Sequence, residues 1–244
     1  MINCAQILAW SAWAPGLADQ AAWLAALRTH GADFGLLSSE YAPLNAADPK
    51  APAVLVPPML RRRLSPLGRA AAEAAAPLLA AAEDKNLPWV YASRWGDLQL
   101  AVDSLESVAA GGTVSPAAFS TSVHNAPPAL LSIALGHTGN LTALAGGPFS
   151  LEAAFESAVG LLFEAPQVLL ICADLKPPVQ TNAAGVTHAV GLLLGRQHET
   201  ADPDQWREAC AKGPYAALTT RPLSASETPD NRLDTLGGSS PALE

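Results

Sequence analysis

Residues 142–172 read TALAGGPFSLEAAFESAVGLLFEAPQVLLIC, and this stretch decides the fold class. Its apolar start, residues 142–145, predicts a strand that runs into a pair of glycines, where the chain can turn. Apolar residues at helical spacing predict a helix over residues 149–163. The continuous apolar run 168–172 predicts a buried strand. A strand, a helix and a second strand in this order are typical of the α/β class.

The same alternation of strands and helices continues on both sides of this stretch. Ser65 followed by Pro66 favours a helix start, because serine can cap free backbone amides and proline at the first helical position loses no needed donor. Pro77 should kink or break that helix. The other predicted elements are a buried strand over 4–10, a turn at Pro15-Gly16, a helix over 19–29, a loop over 36–58, the end of the Ser65 helix near residue 83, a strand over 89–93, a helix over 98–109, a turn at Gly111-Gly112, a helix over 126–135 and a strand over 186–194. Together they predict an α/β layered fold.

Composition narrows the function classes. The 244 residues suffice to bury a substantial core. Half of them are hydrophobic and only 15% are charged, against about 25% in a typical soluble domain. The low content of charged residues has two explanations, an alanine-rich compositional bias or an obligate apolar interface. If the second is correct, the isolated chain should be poorly soluble. The net charge of −8 without a basic stripe argues against a nucleic-acid partner.

The cysteines and the N-terminal residues predict a cytoplasmic protein with reduced thiols. Cys4, Cys172 and Cys210 are an odd number of cysteines without C-x-x-C spacing, which argues against a disulfide framework and against a metal site. Residues 1–13 lack the basic region of a signal peptide, and no apolar run is long enough to predict a membrane span. Nucleotide-binding and serine-hydrolase motifs are absent, so we expect no cofactor. Residues 1–217 should form one domain, and the polar segment 218–244 should be a disordered tail.

The segment from Ser115 to Glu152 carries the most informative pattern. Ser115-Pro116, Asn125, Ile133, Gly136 and Gly139 precede the run Thr142-Ala143-Leu144-Ala145-Gly146-Gly147. This spacing resembles the N-terminal half of the β-ketoacyl synthases, a family of the thiolase-like superfamily, and the run is similar to their nucleophile elbow T-A-C-A-x-G. Weaker similarity extends over 7–17, 62–69 and 93–96. The resemblance implies a thiolase-like layered fold, N-terminal half only, with a mixed sheet covered by helices.

The chain departs from active members of this family at the elbow. Those members have a cysteine where this chain has Leu144. A strand-to-helix turn favours a reactive thiolate because the helix N-terminus lowers the pKa of the thiol, and leucine cannot use that environment. The two family histidines belong to the C-terminal half, beyond the residues of this chain. We therefore expect no catalytic residue.

Among the members of this family, the chain resembles the short chain-length-factor subunits that are encoded with aryl polyene and related polyketide or fatty-acid pathways. The resemblance implies a heterodimer with a full-length β-ketoacyl synthase, which would contact an acyl carrier protein through the complex. In related dimers the segment before the elbow reaches towards the neighbouring acyl tunnel. The corresponding partner and tunnel residues are Ala117, Ala118, Phe119, Ser122, Val123, His124, Asn125 and Leu144.

Other readings of the sequence stay open. A free-standing acyltransferase or thioesterase could use Cys172, Cys210 or a serine as nucleophile, with His188 as a base for Cys172. The location of Cys172 in an apolar strand favours a buried, inert thiol instead. The chain could also be a docking module for an acidic carrier protein, bound through the basic run Arg61, Arg62 and Arg63. His137 lies before the elbow and is expected to be a surface or loop histidine.

Overall fold

The computed structural model describes residues 5–30, 50–183 and 185–196, which all belong to one compact unit, Cys4–Ala201. Cys4, Cys210, the expected tail and residues 36–49 of the predicted loop lie outside the described residues. The described strands are β1 (Ala5–Trp13), β2 (Trp89–Ala92), β3 (Leu141–Leu144), β4 (Gln167–Asp174) and β5 (His188–Arg196). The described α-helices are α1 (Gln20–His30), α2 (Pro58–Arg61), α3 (Pro66–Ala81), α4 (Leu98–Ala109), α5 (Pro116–Ser122), α6 (Ala126–Leu135) and α7 (Ser150–Leu161).

The five strands form one mixed sheet in the order β1-β5-β4-β2-β3. Strand β2 lies parallel to both β3 and β4, whereas β5 is antiparallel to β4 and β1. The carboxyl ends of β2, β3 and β4 therefore meet at one edge of the sheet. In this register Ala92 lies opposite Leu144 on one side and opposite Cys172 on the other.

Helices cover both faces of the centre of the sheet. All eight residues of β4 are buried, which requires cover on both faces because successive side chains of a strand point in opposite directions. Leu169, Ile171 and Ala173 belong to a core cluster with α3 and Leu131 of α6. Helix α7 packs on β2, β3 and β4. The result is an α/β layered fold with a mixed sheet between helices, as the sequence predicted.

Small residues allow α3 to lie very close to the sheet. Ser65 caps the helix through its Oγ, which accepts a hydrogen bond from the Gly68 amide at 3.2 Å. A run of buried alanines follows on the face towards the sheet. A Cβ atom added to Gly191 of β5 would come within 2.7 Å of the Ala74 carbonyl oxygen. The five buried alanines of α3 therefore serve this close packing.

The structure differs from the sequence predictions in several details, including these. Strand β1 is not buried throughout, because it lies at the edge of the sheet and leaves Ile7 56% and Leu8 44% exposed. The chain does not break at Pro77, since α3 continues to Ala81. Pro77 itself is exposed. Helix α5 was not predicted, although Ser115-Pro116 has the same start signal as Ser65-Pro66.

Candidate functional site

The candidate site begins where β3 ends at Leu144. A short 3₁₀ turn, Gly147–Phe149, leads directly into α7 at Ser150. The buried Ser150 Oγ holds this turn by accepting a hydrogen bond from the Gly146 amide at 3.1 Å and donating one to the Gly147 carbonyl at 2.7 Å. This is the strand, turn and helix arrangement expected of an elbow, with leucine as the last strand residue.

The carbonyl group of Leu144 is held from two sides. His124 Nε2 donates a hydrogen bond to the Leu144 oxygen at 2.8 Å, since a carbonyl oxygen can only accept. The amide of Ser93, directly after β2, donates to the same oxygen at 3.4 Å. His124 lies between α5 and α6, so this hydrogen bond connects the segment before the elbow to the end of β3. The structure thus brings together two of the site residues predicted from the sequence.

The other predicted partner and tunnel residues lie on or beside α5. Ser115 caps this helix through a hydrogen bond from the Ala118 amide to its Oγ at 3.0 Å. No residue of α5 is fully buried. Phe119 is 65% exposed, and Val123, directly after the helix, is 40% exposed. The predicted residues here are Ala117, Ala118, Phe119, Ser122, Val123 and Asn125, which precedes α6.

A buried carboxylate fixes the loop beside the elbow, a feature that the sequence analysis missed. Asp174 ends β4, and its Oδ1 accepts hydrogen bonds from Ser93 Oγ at 2.7 Å and the Trp95 amide at 3.0 Å. Its Oδ2 accepts from the Arg94 amide at 3.1 Å. Ser93 Oγ in turn accepts from the Gly96 amide at 2.8 Å. The available signal was a lone carboxylate at the end of an otherwise apolar strand.

The loop held by Asp174 packs against His124. Gly96 has a φ of +60°, and a Cβ atom added there would lie 3.1 Å from His124 Nδ1. The Tyr91 and His124 ring centroids lie 6.0 Å apart. Burial, and then the charge of Asp174, raise the pKa of Tyr91 well above its usual value, so its hydroxyl stays protonated. Burial also raises the pKa of Asp97, which a hydrogen bond from Ser65 opposes.

Cys172 lies in the same row of the sheet as Leu144, but its environment is unsuited to a nucleophile. Burial, and then the charges of Asp174 and Glu152, raise the pKa of its thiol to about 12. His188, the base considered for it, lies opposite Asp174 rather than Cys172 and has its Nδ1 3.0 Å from the Val186 carbonyl oxygen. The thiol is buried, as the apolar strand predicted.

The remaining sequence candidates lie elsewhere in the fold. Arg61 ends α2 and donates a hydrogen bond to the Pro52 carbonyl at 3.3 Å, while Arg62 and Arg63 are exposed. His137 lies in a loop, as expected, but it is half-buried rather than at the surface. Its ring stacks on Trp89 with centroids 4.0 Å apart, and its Nε2 lies 2.9 Å from the Leu87 carbonyl oxygen.

The described part of the chain offers neither a metal site nor a membrane-spanning helix. There, no three His, Cys, Asp or Glu side chains are grouped so that they could hold a metal ion. Of the helices within residues 5–30, 50–183 and 185–196, none combines the length and the apolar character needed to cross a membrane.

Comparison with known proteins identifies the family. The sequence model for "Beta-ketoacyl synthase, N-terminal domain" matches residues 38–229. No curated protein gives a significant match. A solved ketosynthase in complex with its chain length factor from Xenorhabdus doucetiae contains a chain that is 25% identical, with a TM-score of 0.66, and the alignment covers 80% of each chain.

Two other solved structures share the fold. The ishigamide ketosynthase/chain length factor is 18% identical with a TM-score of 0.62, and the alignment covers 82% of this chain and 64% of that one. A β-ketoacyl synthase from Burkholderia phymatum STM815 is 14% identical with a TM-score of 0.59, and the alignment covers 87% of this chain and 61% of that one. This chain therefore spans less than two thirds of both. By its sequence match and its fold, it belongs to the family of β-ketoacyl synthase N-terminal domains.

Proposed function

We propose that this protein is a chain-length-factor-like, non-catalytic partner of a β-ketoacyl-acyl-carrier-protein synthase, which it stabilises and whose acyl tunnel it shapes. The observation that carries the proposal is Leu144 at the end of β3, where the elbow places the last strand residue directly before the turn into α7. An aliphatic side chain at this point can contact an acyl chain but cannot accept an acyl group. Activity then belongs to the complex.

The Xenorhabdus doucetiae structure supports this proposal. It contains a ketosynthase bound to its chain length factor, and the alignment covers equal shares of the two chains, so the matched chain is about as long as this one. The expected products belong to polyketide, aryl polyene or fatty-acid-type biosynthesis. The proposed partners are a full-length β-ketoacyl synthase and, through the complex, an acyl carrier protein.

Helix α5 offers a surface suited to the tunnel wall. Phe119 is largely exposed in the isolated chain, so it is available to contact a partner. Each buried CH₂ group of an acyl chain gains about 0.8 kcal/mol, so affinity alone keeps favouring longer products. Forcing extra atoms against a packed wall costs about 1–3 kcal/mol, which can cancel the gain from one two-carbon unit. A bulky aromatic side chain such as Phe119 can provide that stop.

The two alternatives have weaker support. An acyltransferase or thioesterase acting through Cys172 would need a thiol that ionises readily, whereas this one has a pKa of about 12. The nearby hydroxyls of Ser93 and Ser150 are both engaged in hydrogen bonds. A carrier-docking role could use the exposed Arg62 and Arg63, with Arg61 partly occupied by the Pro52 carbonyl.

Co-expression with the full-length β-ketoacyl synthases of the same genome, one at a time, tests the proposal. We expect one of them to co-purify with this chain in a one-to-one complex. In that complex Phe119→Ala should lengthen the carrier-bound products, because the stop is removed, and the matched variant Ala118→Phe should shorten them. Mass spectrometry of the carrier-bound products measures both.

Two results would contradict the proposal, the first as a whole and the second in its tunnel-shaping part. The first is a stable monomer that ignores every co-expressed ketosynthase in size-exclusion chromatography. The second is an unchanged product distribution for both variants at normal activity, which would leave this chain with a stabilising role only.

A further inference from the structure

We infer that His124 is a positioning residue that fixes α5 relative to the end of β3, and so sets how sharply product length is defined; this last part rests on the proposed function. The starting point is the hydrogen bond from His124 Nε2 to the Leu144 carbonyl at 2.8 Å. It joins two segments that are 20 positions apart in sequence. Only Val123 separates His124 from the end of α5. A shift of His124 should therefore also shift α5, the proposed wall of the acyl tunnel.

The imidazole ring is itself held in place. It meets Gly96, where the φ of +60° disfavours any larger residue and an added Cβ atom would make a tight contact of 3.1 Å with Nδ1. The Gly96 amide donates to Ser93 Oγ, and Ser93 Oγ donates to the buried Asp174. Tyr91, fully buried in β2, packs near the ring with a centroid distance of 6.0 Å. The ring therefore rests on groups anchored in β2 and β4.

The protonation of the ring follows from this geometry. Because the Leu144 oxygen can only accept, Nε2 must carry a hydrogen atom. The same oxygen receives a second, longer hydrogen bond from the Ser93 amide at 3.4 Å. Loss of the imidazole donor would leave the Leu144 carbonyl with that weaker contact only. It would also loosen α5, which has no fully buried residue of its own and would then be held only by its packing on α4 and α6.

Three variants separate the hydrogen bond from the packing of the ring. His124→Phe keeps an aromatic ring beside Gly96 but cannot donate. His124→Gln can place an amide nitrogen near the position of Nε2 and donate to Leu144, without the ring. His124→Ala does neither. If the hydrogen bond positions α5, the His124→Gln variant should keep α5 ordered and the His124→Phe variant should not. If packing of the ring alone positions α5, the opposite result is expected.

Hydrogen exchange followed by mass spectrometry on the full chain provides the measurement. Loss of one hydrogen bond should speed exchange in peptides covering residues 116–126 about fivefold in the alanine and phenylalanine variants. Exchange in the glutamine variant should stay near the wild-type rate, and peptides of α3 should be unchanged in all three. Long-range ¹H–¹⁵N spectra of the wild-type chain should show hydrogen on Nε2 of His124. Each of three results would overturn the inference. The first is equal exchange of residues 116–126 in the wild-type chain and the alanine variant, and the second is exchange in the glutamine variant as fast as in the alanine variant. The third is a neutral His124 ring with its hydrogen on Nδ1.

Product analysis in the ketosynthase complex distinguishes this inference from the proposed function. His124→Ala and His124→Phe should broaden the distribution of product lengths, whereas Phe119→Ala shifts its centre. If Phe119→Ala changes nothing while exchange at residues 116–126 responds as expected, the positioning of α5 stands and the tunnel-shaping part of the proposed function fails. If Phe119→Ala lengthens products but the His124 variants leave both exchange and product spread unchanged, the proposed function stands and the positioning role fails.

Discussion

The thiol of Cys172 provides a quantitative test of whether this chain can act as a free-standing acyl-transfer enzyme. Its pKa is raised to about 12, first by burial and then by the charges of Asp174 and Glu152. At pH 8 a thiol with an ordinary pKa of about 8.5 is roughly one quarter ionised, whereas a pKa near 12 leaves about one thiol in ten thousand ionised. Since the thiolate is the reactive form, alkylation of Cys172 should be slowed by about three orders of magnitude.

Timed alkylation with iodoacetamide at pH 8, followed by digestion and mass spectrometry, measures this rate for Cys172 separately from the other cysteines. The same reaction in concentrated urea gives the reference rate of the accessible thiol. In the folded chain, the rate should rise about tenfold for each pH unit between 8 and 10, because the thiolate fraction grows in that proportion. Labelling at the urea rate, or a rate that stops rising above pH 9, would refute the reasoning and revive the acyltransferase alternative.

Three further predictions concern single side chains. Leu144→Cys should not make the purified chain condense acyl and extender units, because His124, the imidazole hydrogen-bonded to this residue, is engaged with its carbonyl; carrier-bound elongation products in mass spectrometry would contradict this. Gly191→Ala should lower the free energy of unfolding by about 1–3 kcal/mol, because its Cβ would lie 2.7 Å from the Ala74 carbonyl oxygen. The control Gly160→Ala, with nothing within 4 Å, should be neutral or stabilising in urea denaturation. Ser65→Ala should cost about 0.5–2 kcal/mol by removing the cap on Gly68, and an unchanged urea midpoint would show that the cap contributes nothing.

Local sequence signals were sufficient for most of the elements. The apolar run of β4 and the spacing of α4 and α6 gave their positions closely, because burial and periodicity are recorded in the residues themselves. Helix α5 was overlooked because it is short and carries no buried face, so the start signal Ser115-Pro116 stood without a supporting apolar pattern. The exposed start of β1 depends on its place at the sheet edge, which composition does not reveal.

The candidate site was only partly predictable. The position of Leu144 at the end of β3 followed from the elbow-like pattern, and His124 was named beside it. Their hydrogen bond could not be foreseen, because it depends on how the turn between α5 and α6 meets the sheet. The role of Asp174 was equally hidden, since its partners are the side chain of Ser93 and the amides of Arg94 and Trp95, about 80 positions earlier. Such long-range pairings can be predicted only when the order of the strands in the sheet is known.

The separation between Ser93 and Asp174 also orders events during synthesis. The two residues are 81 positions apart, so at about 5–20 residues per second the ribosome adds the carboxylate roughly 4–16 s after the serine. During that interval the loop after β2 lacks the group that shapes it, and β2 lacks its neighbour β4. The loop can therefore reach its final form only after β4 has left the ribosome, although β2 and the loop itself were made many seconds earlier.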